Sequence, residues 1–558
     1  MTLAPPERPA RPRVGRVGRA ACLLALAAAA AGACSQIVTS DSTAQCTSNQ
    51  ECVARGGAFA QSVCGPQGVC VSAGGPDSVT CQDNATCVAA KGQNWVCRRS
   101  DQLCVSLTSA ECALVDGDAA AEDALYVGSI LPTTGALADA VGKPIENAVR
   151  MAFDDFATSG GLPVLGTGRS RQVVLIGCSD GNDPATAVLA ATHLKGLGVQ
   201  VIIGSFSTES TLAVANAITI MSDIMLLSPA ATGVELTALN DFGFVWRTAP
   251  SDASHATALS ALVAFLEPEL LQRLPPPAPP LKVANLYRTD NYGRVIKSGF
   301  ESEATFNGRG ALANGQNYVP VPFGNPGDPG GADPPKYQIA SEQVVAARPH
   351  LVLIAGREEA ADLVRLVEQQ WPSGVEAPPR PYYLLTEGIT NEALPSVVNN
   401  PDLRRRVFGT VLGSNSAEFS AYRLNYLAKY PQPFHPFAAN AYDAAYMVAY
   451  SAVAAGSDPI VGQDFVNSFA KLTPRDGAPV VLAGPTGIDD AFNAFSGGNT
   501  IDFNGTSGPL NFNTQAGEAL ADLQVYCAVT GRRAAPSGLY FEASSRTLKG
   551  AINPEVCL

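Results

Sequence analysis

The stretch VQVIIGSFSTESTLAVANAITIMSDIMLLSPAAT, residues 199–232, decides the fold class. VQVIIGSF is an unbroken apolar run of strand length, as expected of a strand covered on both sheet faces. STESTLAVANAITIM follows with helical spacing behind a Ser/Thr turn, and DIMLLSPAAT returns to strand character. Strand, helix and strand in this order predict a parallel sheet with helices packed on its faces.

The same alternation extends outward. Upstream, ALYVGSIL (124–131) runs into the turn Pro132–Gly135, PIENAVRMAFDDFATSGG (144–161) reads as a helix with a Gly-Gly stop, and RQVVLIGCSD (171–180) is a strand. PATAVLAATHLKGLG (184–198) opens with Pro184 at a first-turn position and closes on glycine. Downstream, KVANLYRT, HLVLIAG and RPYYLLTEG are strands, with YGRVIKSGFESEATFNG and REEAADLVRLVEQQ as the helices between them. Two such blocks predict two similar α/β lobes, with VWRTAPSD (245–252) and the loop around Glu387–Asn391 as crossings between them. Two Pro-rich insertions, Leu274–Leu281 and 322–335, read as exposed loops.

Composition narrows the function. The 558 residues are 46% apolar and 16% charged, so the chain is globular, and its length allows several domains. With 37 basic against 50 acidic residues the net charge is −13, which argues against broad binding to nucleic acid or anionic lipid. Fourteen cysteines point to disulfides and an oxidising compartment.

The N-terminus reads as an export signal, residues 1–33. Arg8, Arg11, Arg13, Arg16 and Arg19 precede the apolar run Ala21–Ala31, which is too short for a permanent span. Gly32-Ala33-Cys34 resembles the lipobox of bacterial lipoproteins, except that Ala31 stands where Leu is usual. The reading adopted is lipidation of Cys34, hence a membrane tether; signal cleavage nearby without lipid is the alternative. Residues 34–115 form a cysteine-rich tether in which one pattern occurs twice. Cys46, Cys52, Cys64 and Cys70 match Cys81, Cys87, Cys97 and Cys104. Two disulfides per copy would supply the constraint that so small a core cannot, and the sequence leaves the pairing open. The C-x5-C spacing without histidine argues against zinc, and no metal site is expected. Cys112 reads as the stub of a third copy or a link onward. Cys527 and Cys557 are placed to close a C-terminal loop, leaving Cys112 with Cys178, although crossed pairings stay open.

Residues 124–530 resemble the type I periplasmic binding proteins, in particular the leucine/isoleucine/valine-binding branch. The resemblance rests on GSILPTTGAL (128–137), DGNDPATAV (180–188), VIIGSFSTEST (201–211), LLSPAATGVELT (226–237) and VWRTAPSD. It continues through Tyr292-Gly293, LLTEG (384–388), AYDAAYMVA (441–449) and IDFNGTSGPLNFN (501–513). It implies an α/β architecture of two Rossmann-like lobes joined by three crossings, after the disulfide-rich region. The binding domain is taken as 124–558, lobe 1 as about 124–250 plus 391–500, and lobe 2 as about 251–390 plus the C-terminal segment.

The resemblance also implies a site. Thr208, with Ser207 beside it, would meet a ligand carboxylate, and either residue could equally cap the helix that starts there. The Ala230 carbonyl and Thr232 hydroxyl would hold the head of an amino acid. Glu387 would pair with its ammonium, on the view that only the ligand supplies a positive charge there. Tyr292 would line the cleft or simply pack under it, and Arg357 would favour a second carboxylate on the ligand. The loop 135–144 lacks the aromatic residue of leucine-binding members, so the resemblance does not extend to the aliphatic side-chain pocket.

Nothing points to catalysis. The sequence has no G-x-S-x-G, no H-E-x-x-H and no P-loop. His193, His255, His350 and His435 are scattered and read as surface or helix-packing residues. The expectation is an exported, non-enzymatic binding protein without cofactor. It would take a small solute such as an amino acid and hand it to an ABC permease; the alternative is a sensory or surface-contact protein on the same fold.

Overall fold

The computed structural model describes residues 46, 48–55, 62–64, 70–72, 79–326, 329–375, 377–390, 393–412, 416–430, 434–473, 477–520, 522–530 and 534–557. The signal segment, Cys34 and Asn391 lie outside these residues. The chain divides into two compact units, Met1–Ser78 and Val79–Leu558.

In the first unit, helix Asn49–Ala54 precedes a hairpin of Ser62–Cys64 and Cys70–Ser72, with Cys64 opposite Cys70. In the second unit the repeat recurs as helix Asn84–Lys91 and hairpin Trp95–Arg98/Leu103–Ser106, with Cys97 opposite Cys104. Those neighbours do not bond each other. Cys97 pairs with Cys81 and Cys104 with Cys87, so each hairpin strand is stapled back toward the helix. Val96 and Leu107 are buried in one cluster with Ala187, Ala191 and Leu194 of helix Pro184–Leu197. His193 Nε2 stands 3.1 Å from the Leu107 carbonyl.

Two eight-stranded sheets make the lobes. The first runs in the order 511–513, 518–520, 245–247, 225–228, 201–204, 125–131, 173–179, 112–116, and is parallel except at its two ends. The second runs 318–322, 283–287, 351–355, 382–385, 407–412, 523–527, 535–542, 547–550, parallel through its fifth strand and antiparallel beyond it. Helix starts and stops follow the sequence signals. Asp183 caps Pro184–Leu197 by accepting from the Thr186 amide at 2.8 Å, and Gly198 closes it at φ 83°.

The chain crosses three times: after Arg247, after Leu412 and between Leu520 and Leu523. This corrects the expected boundaries. The loop after Glu387 is not a crossing, because Val407–Leu412 hydrogen-bonds into the second sheet beside Tyr382–Leu385. Lobe 1 in turn extends past 500, since strand Glu518–Leu520 pairs with Arg247. Cys112 is no repeat stub. It opens the edge strand Cys112–Asp116 of the first sheet and bonds Cys178 on the neighbouring strand, so the sheet begins inside the range assigned to the tether. Cys527–Cys557 forms as expected.

Helix Phe437–Ala455 is buried along almost its whole length in lobe 1. Its Tyr442 and Tyr446 hydroxyls both donate to Asp155. Asp443 accepts from the amides and hydroxyls of Thr506 and Ser507 at 2.6–2.9 Å. The late motifs AYDAAYMVA and IDFNGTSGPLNFN therefore meet as one buried clamp. Arg247, 2% exposed, plays the same part for the loop 233–237: it donates to the Gly233 carbonyl and the Thr237 hydroxyl and pairs with Glu518. Among the described residues no helix is long and apolar enough to cross a membrane.

Candidate functional site

The carboxyl ends of parallel strands are where open α/β sheets leave room for ligands, and the predicted residues lie there. On lobe 1, strand Val201–Gly204 ends before Ser207, whose side chain accepts from the Ser210 amide at 3.1 Å and caps the short helix Thr208–Val214. Thr208 Oγ1 accepts from the Gly233 amide at 3.0 Å. Both hydroxyls thus already serve the local fold. Strand Met225–Ser228 leads into buried Ala230 and Thr232, and Ser228 Oγ accepts from the Ala231 amide while donating to the Ser205 carbonyl.

Lobe 2 contributes a charged cluster. Arg357 lies after strand Leu351–Ala355, its guanidinium 4.3 Å from the ring centroid of buried Tyr292. Tyr292 donates to Thr386 at 2.9 Å, and Thr386 donates to the Gly356 carbonyl at 2.6 Å, which fixes the ring under the guanidinium. Glu387 has Arg357 Nε at 3.4 Å and His255 Nε2 at 3.8 Å. The expectation that only a ligand supplies its positive partner is therefore corrected, because Arg357 of the same lobe does so.

Two members of the cluster were missed in the sequence. Asp252 and His255 open helix Asp252–Gln272, three residues apart and so on one helical face. The Asp252 amide donates to the Thr232 carbonyl at 2.9 Å, which ties the crossing to lobe 1. Of the two readings given for His255, surface or helix-packing, the structure excludes the surface one: it is 1% exposed inside its helix, and its Nδ1 lies 2.9 Å from Thr410 Oγ1. The available signal was the "SD" of VWRTAPSD, a Ser cap followed by an acid at a crossing.

Burial and neighbouring charge set the protonation states. Asp252 is pushed up to about 7, first by burial and then by the Glu387 carboxylate. Burial lowers His255, and Glu387 only partly offsets this. Arg357 is raised, because Glu387, Tyr292 and Asp252 outweigh its burial. On lobe 1, His435 stacks on Phe437 at 5.7 Å and meets Phe206 edge-on at 6.0 Å. Burial takes His435 down to about 4, and Glu387 lies near enough to oppose that shift. An aromatic wall on one lobe thus stands within the field of the acidic group on the other.

Asp252 Oδ1, His255 Nε2 and Arg357 Nε are buried without a hydrogen bond of good geometry. Unpaired buried polar atoms are costly. Two of the three, Arg357 Nε and His255 Nε2, still face Glu387 at 3.4 and 3.8 Å, so their charge is partly compensated although no hydrogen bond closes. The cluster holds one fixed cation, one carboxylate and a second acid poised near neutrality.

Residues 124–328 match the family described as periplasmic binding protein. The leucine-specific-binding proteins of Salmonella typhimurium and Salmonella typhi are each 30% identical over 124 residues, which is 22% of this chain and 31% of theirs. The match therefore spans about a third of the length of those relatives. Among solved structures, the LivJ substrate-binding protein of Streptococcus pneumoniae in complex with isoleucine superposes with a TM-score of 0.51 at 18% identity, covering 74% of this chain and 97% of its own. The leucine-binding protein LivK of Thermotoga maritima gives 0.52 at 17%, covering 77% and 99%. A solute-binding protein of R. palustris in complex with 4-hydroxybenzoate gives 0.52 at 15%, covering 77% and 98%. The chain thus has the two-lobe α/β fold of the type I periplasmic binding proteins.

Proposed function

We propose that this chain is an extracytoplasmic solute-binding protein, tethered through Cys34, that captures an amino acid or similar small carboxylate between its lobes for an ABC-type importer. The observation that carries the reading is the cluster Asp252, His255, Arg357 and Glu387, three of whose buried polar atoms lack a hydrogen bond, together with the aromatic wall Phe206, His435 and Phe437. Arg357 would receive a carboxylate, charge-assisted and over the Tyr292 ring. Asp252 and Glu387 would receive donors, such as an ammonium or hydroxyl. The lobe 1 positions Ser207, Thr208, Ala230 and Thr232 would present backbone groups and hydroxyls to the rest of the guest. The bound ligands of the superposing structures, isoleucine and 4-hydroxybenzoate, share a carboxylate on an apolar body.

Calorimetric titration with twenty amino acids and a series of hydroxybenzoates tests this. Binding of at least one acid, weakened in Arg357→Ala, is expected; silence across both panels would refute it. The docked second cysteine repeat favours a surface-contact role on the same fold as the second reading. Deletion of the chain separates the two: lost uptake supports transport, whereas normal uptake with an altered response supports sensing.

A further inference from the structure

A separate groove opens on the flank of lobe 2, at the carboxyl ends of strands Val283–Tyr287 and Tyr318–Pro322. Its volume is about 650 Å³, within the range of roughly 300–1,000 Å³ usual for small-molecule sites. Tyr287, Thr289, Arg294, Lys297, Asp333 and Lys336 line it, and none belongs to the cluster described above. In a chain of net charge −13, three cations around one carboxylate are not a product of composition.

The charges are unevenly satisfied. Lys297 pairs with Glu301 at 2.8 Å, and Lys336 with Asp333 at 2.8 Å. Arg294, exposed at the rim, makes no ion pair among the described residues. The buried Thr289 hydroxyl lies against Asp333 and helps, after Lys336, to hold that carboxyl below its ordinary value. Tyr287 offers a ring with Lys297 Nζ 5.7 Å from its centroid, and Ile339, 54% exposed, adds an apolar surface to the same lining. A guanidinium without a direct ion pair, a lysine beside it, an aromatic ring and an exposed isoleucine in one concavity suit a guest with an anionic head and a flat apolar body.

We propose that this groove is a second binding site, independent of the interlobe cluster, for a small organic anion. Its carboxylate or phosphate is held by Arg294 and Lys336, and its apolar body lies between Tyr287 and Ile339.

The test is calorimetric titration of the full chain carrying Arg357→Ala, which disables the interlobe cluster. Phenyl phosphate and benzoate serve as the two anionic probes and phenol as the uncharged control. Either anion is expected to bind while phenol does not, and adding Arg294→Gln or Lys336→Gln is expected to weaken binding about tenfold. Both residues are exposed, so the substitutions leave the fold intact, checked by unchanged circular dichroism. Absence of binding by both anions at about 10 mM (about 2.7 kcal/mol), equal binding of phenol, or unchanged affinity in both added variants would overturn the proposal.

Discussion

Arg357 Nε stands 3.4 Å from Glu387 Oε2, so the one cation of the interlobe cluster neutralises its half-buried carboxylate before any guest arrives. The pair sits half open, Arg357 40% and Glu387 24% exposed, with Tyr292 as its floor. An arriving carboxylate competes with Glu387 for Arg357, while an arriving donor is shared between Glu387 and Asp252.

This sharing sets the rank of two substitutions. Arg357→Ala removes the carboxylate receptor and is expected to weaken the bound acid by about 10–100-fold, the range of a charge-assisted hydrogen bond of roughly 1.5–3 kcal/mol. Glu387→Gln keeps the shape and frees Arg357, so its loss is confined to ligands that bring an ammonium. Calorimetry on wild type and both variants separates a simple acid from an amino acid.

Asp252 makes stability pH-dependent in a fixed direction. Its proton is held up to about 7 in the folded protein, against about 3.9 in the unfolded chain. The folded state therefore binds more protons between those values, and stability falls as pH rises from about 4 to about 7, then levels off. Three units correspond to at most about 4 kcal/mol. Asp252→Asn removes this component, so the stability difference between variant and wild type should grow in the variant's favour across that window. Urea melts at pH 4, 5.5 and 7.5 would show it; parallel curves would mean that Asp252 does not carry the proton.

Asp443 is the hub of the lobe 1 clamp. Replacing it with Ala strands four buried donors of Thr506 and Ser507, and a loss of about 3 kcal/mol or more is expected. Asp443→Asn keeps one acceptor oxygen and should cost less. Chemical denaturation monitored by tryptophan fluorescence reads both, and near-wild-type stability in the Ala variant would contradict the clamp.

The disulfides give a ranked pair. Cys112–Cys178 closes a 66-residue separation and Cys527–Cys557 one of 30. By chain entropy the first removes about 4 kcal/mol of unfolded-state freedom and the second about 3.5 kcal/mol. Serine at both positions of either pair should lower the thermal midpoint, the first pair slightly more. A peptide map without reduction should recover these two bridges together with Cys81–Cys97 and Cys87–Cys104; crossed fragments would contradict the structure.

Local pattern determined much of this molecule. The apolar runs around 125–131, 173–179, 201–204 and 225–228 are too short and too uniformly buried to be surface helices, so the parallel sheet followed from them directly. Pro184 and Gly198 bounded their helix because each restricts the backbone within a residue or two. Arg357 and Glu387 follow strands Leu351–Ala355 and Tyr382–Leu385, and Tyr292 opens helix Asn291–Glu303; all three were singled out by motif resemblance, because local spacing assigns no role to a residue at such a place. Tertiary structure alone decided which lobe owned Val407–Leu412, since a strand's membership depends on its hydrogen-bonded neighbour and not on its own residues. It also decided which sulfurs bond, because Cys97 and Cys104 are neighbours across a hairpin and yet each turns to a partner on or beside the helix. And it decided that Glu387 meets Arg357: the two are thirty residues apart, and a Coulomb partner is fixed by distance through space, which no local pattern encodes.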